Sequence, residues 1–229
     1  MAPAELGGAQ TPGSAGGGVN TVTEKFLFFD TETTGKADFH APPSAPQQPR
    51  LVQLAALLVE AGAGDGGVAA TREVAALNVM IRPAGFGIPL AASAIHGITT
   101  AQAARCGVDL LSALALFGEL ARAADFLVAH NIQFDRLVME SEFHRTGGLL
   151  PERRERCTMK AMTPVCALPG QHGSYKWPKL QEAYQHCFQR KFAGAHGALA
   201  DARACAEVFF WLRQREAALE AARPEGNAV

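Results

Sequence analysis

A chain of 229 residues, 48% hydrophobic and 19% charged, is long enough for one α/β domain around a single sizeable core, and no apolar run approaches a membrane span. A formal net charge of -1 excludes the broadly basic surface that would announce a nucleic-acid binder by itself, although a small site acting through bound cations needs only a local positive field. Cys106, Cys157, Cys166, Cys187 and Cys205 are odd in number and contain no CxxC pair, which argues against a disulfide framework or a zinc cluster and for reduced thiols.

Residues 1–22, rich in Gly, Ala, Pro and Thr, are expected to form a disordered tail, and 221–229 a flexible one, leaving a single domain over 23–220. The start lacks the basic and apolar stretches of a signal peptide, so the cytoplasm is the expected location. The first apolar run, 26–29, has strand length and leads into Asp30. A Pro-rich loop follows over 36–49, then a second strand over 51–59, a Gly-rich turn over 61–67 and a third strand over 74–81. Three strands in succession without intervening helices predict an antiparallel meander. The period then becomes helical within 88–98 and over 109–123, where Leu110, Leu114, Phe117 and Ala121 recur on one face. A short strand over 126–129, a helix over 132–145 stopped by Gly147-Gly148, a strand near 157–159 and helices over 179–187 and 199–220 complete the pattern. The expected fold is α/β, a partly antiparallel sheet with helices packed on it.

Several acids fall where the chain changes element, which is where sites are usually built. Asp30 and Glu32 are two apart in an extended segment, so both carboxylates can face one cation; an Asp-Thr-Glu can equally well just solvate a strand end. Asp135, in His-Asn-Ile-Gln-Phe-Asp, lies in the first turn of a predicted helix, where an acid is also favoured by the helix N-terminus. Asp201 differs from both. Cys205, Val208 and Leu212 follow it at helical spacing, so it sits at the head of a stripe meant for the core, an expensive place for a carboxylate unless it is paired or metal-bound. His196 precedes that helix in a Gly-flanked stretch.

Taken together, FDTETTG (29–35), HNIQFD (130–135) and AHGALADA (195–202) resemble, in this order, the three motifs of the DEDDh superfamily of 3′→5′ exonucleases, whose members include the epsilon proofreading subunit of bacterial DNA polymerase III. SAIHGIT (93–99) and the stretch from CTMK (157–160) through KWPKL (176–180) are also similar to such enzymes. The resemblance covers about residues 25–213 and implies a ribonuclease-H-like fold, a mixed five-stranded sheet flanked by helices. It further implies that Asp30, Glu32, Asp135 and Asp201 hold two Mg²⁺ (or Mn²⁺), with His196 as general base. By the same resemblance, Thr31, Thr33, Thr34, His130 and Phe134 would grip the terminal nucleotide. Oxygen-only ligands suit these hard cations, and an imidazole is a base available near neutral pH.

The implied activity is release of nucleoside monophosphates from DNA 3′ ends, single-stranded or frayed. The alternatives are an RNA-directed enzyme of the same superfamily and a catalytically silent nucleic-acid-binding module. A DNA polymerase would be the partner in the epsilon branch, but only about 28 residues follow Asp201, which favours a stand-alone exonuclease of repair or turnover. Lys176, Lys179, Arg190 and Lys191 are candidates for a local positive field, and Trp177 is expected to pack rather than to stack on a base.

Overall fold

The computed structural model describes residues 23–62 and 70–223. The tail expected over 1–22, residues 224–229 of the C-terminal tail and most of the turn expected at 61–67 lie outside the described residues. Five strands, β1 (Glu24–Thr33), β2 (Leu51–Gly62), β3 (Ala70–Met80), β4 (Phe126–Ala129) and β5 (Arg154–Cys157), form one mixed sheet in the order β3-β2-β1-β4-β5. The first three pair antiparallel, as the meander requires; β4 runs parallel to β1, and β5 parallel to β4. Among the described residues seven α-helices flank the sheet: α1 (Leu90–His96), α2 (Thr100–Cys106), α3 (Leu110–Ala123), α4 (Ile132–Arg145), α5 (Thr158–Cys166), α6 (Leu180–Phe188) and α7 (Ala198–Ala221). Among the described residues, no helix is long and apolar enough to cross a membrane.

The unbroken apolar run of β1 has a simple cause: this central strand is covered on both faces. Leu27 and Phe29 point toward α3 and α4, where they share a core with Leu114, Phe117, Val138 and Met139. Phe26 and Phe28 point the other way, toward Ala202, Cys205 and Phe209 of α7. The rings of Phe26 and Phe209 lie 5.0 Å apart and those of Phe28 and Phe209 5.4 Å apart. Each such buried ring stabilises the fold by about 1.5–3 kcal/mol, so α7 is clamped along the sheet from its second turn onward.

β1 runs four residues beyond its apolar run, so Asp30 and Glu32 are strand residues rather than residues after a strand. Their backbones go on pairing with β2, Asp30 opposite Ala55 and Glu32 opposite Gln53, and pairing of this kind does not depend on side-chain polarity. The register shifts between Glu32 and Thr33, which breaks the ladder just past the acidic pair.

Two further expectations are corrected. The strand expected over 157–159 lies at Arg154–Cys157, and a helix begins at Thr158. Arg154-Glu155-Arg156 carries no hydrophobic signal because β5 is an edge strand, where charged side chains are favoured. The short helix α2 was not anticipated; it buries only Ala103 and starts at Thr99, whose side chain accepts a hydrogen bond from Gln102 N (3.2 Å).

The Pro-rich connection from β1 to β2 is an ordered loop built round Gln48, which is 2% exposed and whose amide donates to Asp38 O (2.8 Å) and Ala41 O (3.1 Å). Its end is fixed by Glu142 of α4, 1% exposed, whose Oε1 accepts from Leu51 N (2.8 Å) and Arg50 Nε (2.9 Å). Arg145 of the same helix adds an ion pair to Glu142 at 3.2 Å.

Candidate active site

Asp30 and Glu32 continue the Phe26–Phe28 alternation, so they emerge on the α7 face of the sheet just where the aromatic packing stops. Asp201 occupies the first turn of α7. The core contacts of the later turns therefore set it against the end of β1. One carboxylate oxygen from each of Asp30, Glu32 and Asp201 lies within 4.8 Å of the others. Asp201 Oδ2 accepts from the backbone N–H of His196 (3.3 Å), while its Oδ1 is buried with no hydrogen-bond partner.

Asp135 is outside this trio but next to it. β4 ends at Ala129, and the chain turns into α4 through Asn131, whose φ of 77° lies in the left-handed region that asparagine tolerates better than most residues. That turn buries Asp135 to 3% exposure, and its Oδ1 accepts from both Thr31 N (3.0 Å) and Thr31 Oγ1 (2.8 Å). Thr31 is the residue between the two β1 acids, with its side chain on the opposite face. The four acids thus approach one end of β1 from three stretches of chain.

Burial and mutual repulsion push these carboxyls upward. Asp30 rises well above the usual range, first through burial and then through Asp135, Asp201 and Glu32. Glu32 rises to about 8, by burial and then by Asp201 and Asp135. Asp135 rises to about 7 by burial, even though both Thr31 hydrogen bonds favour its charged form. Asp201 is also raised by burial, against the pull of the His196 N–H and charge. A cluster that resists ionisation until positive charge arrives, made only of carboxylate oxygens, with one buried oxygen unpartnered, fits hard divalent cations such as Mg²⁺ or Mn²⁺.

The other candidates are placed as follows. His196 is exposed, in the left-handed region (φ 68°) on the turn that precedes α7. Thr31, Thr33, Thr34 and Phe134 line one cavity of ≈ 350 Å³ beside Glu32. Their polar atoms are largely engaged already: Thr31 with Asp135, Thr33 Oγ1 donating to Gly35 O (2.7 Å), and Thr34 Oγ1 accepting from Arg50 N (2.9 Å). His130 is engaged at both ring nitrogens, Nδ1 with Thr158 Oγ1 and Nε2 with the Pro178 carbonyl, each at 2.9 Å. Because a carbonyl only accepts, Nε2 carries the proton and Thr158 donates to Nδ1. Burial lowers the His130 pKa, which agrees with a neutral ring. His130 therefore ties β4 to α5 and the 178 region, and has no free nitrogen to offer a nucleotide.

Ile95 and His96 of α1 line the same cavity, and sequence reasoning gave them no role. The signal that the sequence carries for them is the IHGIT stretch (95–99) itself. His96 Nδ1 accepts from Ile98 N (3.1 Å), and burial lowers its pKa against the opposing pull of the Thr33 main chain. Of the basic candidates, Lys176 is paired with Glu182 (2.7 Å) and Arg190 donates to Tyr184 Oη (3.2 Å). Lys191 lines an open cleft of ≈ 630 Å³ that reaches Gly197, next to His196.

The fold is similar to that of part of E. coli exonuclease I. Its complex with a dT13 oligonucleotide superposes with a TM-score of 0.66 at 19% identity, covering 86% of this chain and 43% of that one. The zinc-bound form of its complex with single-stranded DNA gives 0.64 at 21%, covering 86% and 42%. The present chain thus spans less than half the length of those proteins. No curated protein sequence gives a significant match. The sequence model of the RNase T family, described as exonuclease, matches residues 27–209, a span that contains all four acids and His196. The chain belongs to this exonuclease family, within the DEDDh superfamily, and has its ribonuclease-H-like fold.

Proposed function

We propose that this protein is a metal-dependent 3′→5′ exonuclease that releases nucleoside monophosphates from single-stranded or frayed DNA 3′ ends. The observation that carries the reading is the convergence of Asp30, Glu32 and Asp201 within 4.8 Å, with buried Asp135 alongside. Asp30, at the centre of the four acids, would be one of the groups that hold the cations. Glu32 and Asp201 would complete one of these sites and Asp135 would serve the other. When bound, such a pair activates the attacking water and stabilises charge on the leaving 3′-oxygen.

The chain's own residues supply the rest. His196, exposed and uncommitted on its ring, takes the proton from the attacking water. Thr31 holds Asp135 in its charged orientation. Phe134, Ile95 and the threonine segment wall the cavity beside Glu32, where the terminal nucleotide is held by packing and backbone contacts. The oligonucleotide complexes of exonuclease I support single-stranded DNA as the substrate class.

The test is a time course on 3′- and 5′-labelled DNA and matched RNA, single- and double-stranded, with Mn²⁺ and with chelator. Stepwise loss of the 3′ label as mononucleotide, abolished by chelator, supports the reading. Release from the 5′ end, endonucleolytic fragments, or activity that survives chelation would each refute it.

A further inference from the structure

Among the described residues, Trp177 and Tyr175 are 62% and 54% exposed, so Trp177 is not packed away as expected. Both stand on the connection between α5 and α6, which is an ordered finger. Gly170 N donates to Ser174 O (2.9 Å), Lys176 N donates to Leu168 O (3.0 Å), and Pro169 and Tyr175 form an isolated antiparallel bridge. The backbone is extended at Ser174 and Lys179, and Pro178 biases Trp177 the same way. Two residues of extended chain set the two rings about 7 Å apart along it, within reach of neighbouring bases of one strand.

The finger is also fastened to the catalytic region. The Pro178 carbonyl, adjacent to Trp177, accepts from His130 Nε2 at the start of the segment that carries Asp135. Lys176 and Lys179 flank Trp177, Lys176 being paired with Glu182 (2.7 Å), so the cationic side chains are close to the rings but partly balanced. Exposed aromatic rings with cationic neighbours bind single strands by stacking, and they do so without reading sequence, because every base has a π face.

Resting on the exonuclease reading, we propose that Tyr175 and Trp177 form a stacking platform for bases upstream of the 3′-terminal nucleotide, holding the strand while its end enters the acidic site. A substrate with a single base has nothing to stack there, which makes the two functions separable.

The experiment compares wild type, Trp177→Ala, Tyr175→Ala and Trp177→Phe on two substrates with Mn²⁺: single-stranded oligo(dT), and the p-nitrophenyl ester of thymidine 5′-phosphate. Each alanine variant is expected to raise KM on oligo(dT) about ten-fold with little change in kcat, as loss of a base stack requires. Ester hydrolysis should stay at the wild-type rate, and Trp177→Phe should keep most of the oligonucleotide affinity. Equal losses on both substrates, or unchanged KM on oligo(dT), would overturn the platform.

A binding measurement covers the case in which wild type hydrolyses neither substrate, an outcome that would refute the exonuclease reading instead. The chain has two tryptophans, and Trp177 becomes the only one in Trp211→Phe. Titration of that variant with oligo(dT) in chelator should quench its emission, and absence of quenching would also overturn the platform.

Discussion

Thr31 donates its backbone N–H and its hydroxyl to the same oxygen of Asp135, at 3.0 and 2.8 Å. Because Thr31 sits between Asp30 and Glu32 on β1, the strand that presents two of the acids also orients a third on α4. Replacing Thr31 by Val keeps shape and β propensity but removes the hydroxyl, so Asp135 loses one bond that favours its charged form. The expected result is activity down about 10–100-fold, recovered at raised Mn²⁺, which is the behaviour of groups that orient metal ligands. Thr31→Ser should restore most of it. A Thr31→Val enzyme with an unchanged Mn²⁺ dependence would show that the hydroxyl does not act through the metal site.

The raised carboxyls couple metal binding to pH. Glu32 titrates near 8 and Asp135 near 7 in the metal-free fold, against ordinary values of 4.5 and 3.8. The folded protein therefore binds these protons more tightly than the unfolded chain does. This contribution to stability is greatest below the unfolded values and is lost as pH rises through the folded ones. Cations replace those protons, so the gain in Tm on adding Mn²⁺ should be larger at pH 8 than at pH 6. Comparing the two states at each pH cancels the other titrating groups. A metal-induced gain that is flat or falls with pH would contradict the coupling.

Removing one acid should separate stability from function. Asp201 is held with a buried, unpartnered Oδ1 beside two other carboxylates, an arrangement that disfavours the metal-free fold. Asp201→Asn keeps the size and an oxygen for the His196 N–H while abolishing the charge. The metal-free variant should melt above wild type, gain little from Mn²⁺, and have no measurable nuclease activity. A lower metal-free Tm would mean that Asp201 stabilises the fold in its own right.

How much of this was legible beforehand varies from residue to residue. The FLFF run marked the central strand because a strand covered on both faces must be apolar throughout, and Asp201 stood out because it heads a stripe leading through Cys205 and Leu212 into the core. β5 was misplaced because an edge strand of alternating charges carries no hydrophobic period. The engagement of His130 by Thr158 and Pro178 was beyond reach, since its partners lie 28 and 48 residues away and meet it only through packing. Trp177 differs for a related reason: burial is the usual fate of tryptophan, and only the fold shows that this one is 62% exposed among the described residues.

Glu142 offers a test of the scaffold away from the acids. It is 1% exposed, accepts from Leu51 N, and is paired with Arg50 and Arg145, so it pins the Pro-rich loop and the start of β2 to α4. Glu142→Ala removes the acceptor of Leu51 N and Arg50 and the counter-charge of Arg145, which keeps the Gln48 and Pro49 carbonyls, and should cost about 3–5 kcal/mol by chemical denaturation. Glu142→Gln keeps an oxygen for Leu51 N and should cost less. A loss under 1 kcal/mol in Glu142→Ala would mean that the cluster contributes little net stability.

His196→Ala tests the proton transfer itself. The ring is exposed on a left-handed turn, and its backbone N–H, not the imidazole, makes the bond to Asp201. Truncation to Ala therefore leaves that bond in place, and neither Mn²⁺ affinity nor oligonucleotide affinity should change much. Turnover should fall about 10²–10⁴-fold, the range that a positioned general base supplies. Because the vacated volume is open to solvent, free imidazole added to the assay should recover part of the loss, with a rate that rises with imidazole concentration. Wild-type turnover in the variant would remove His196 from the reaction, whereas a parallel loss of Mn²⁺ affinity would show that the residue serves the metal site rather than the proton.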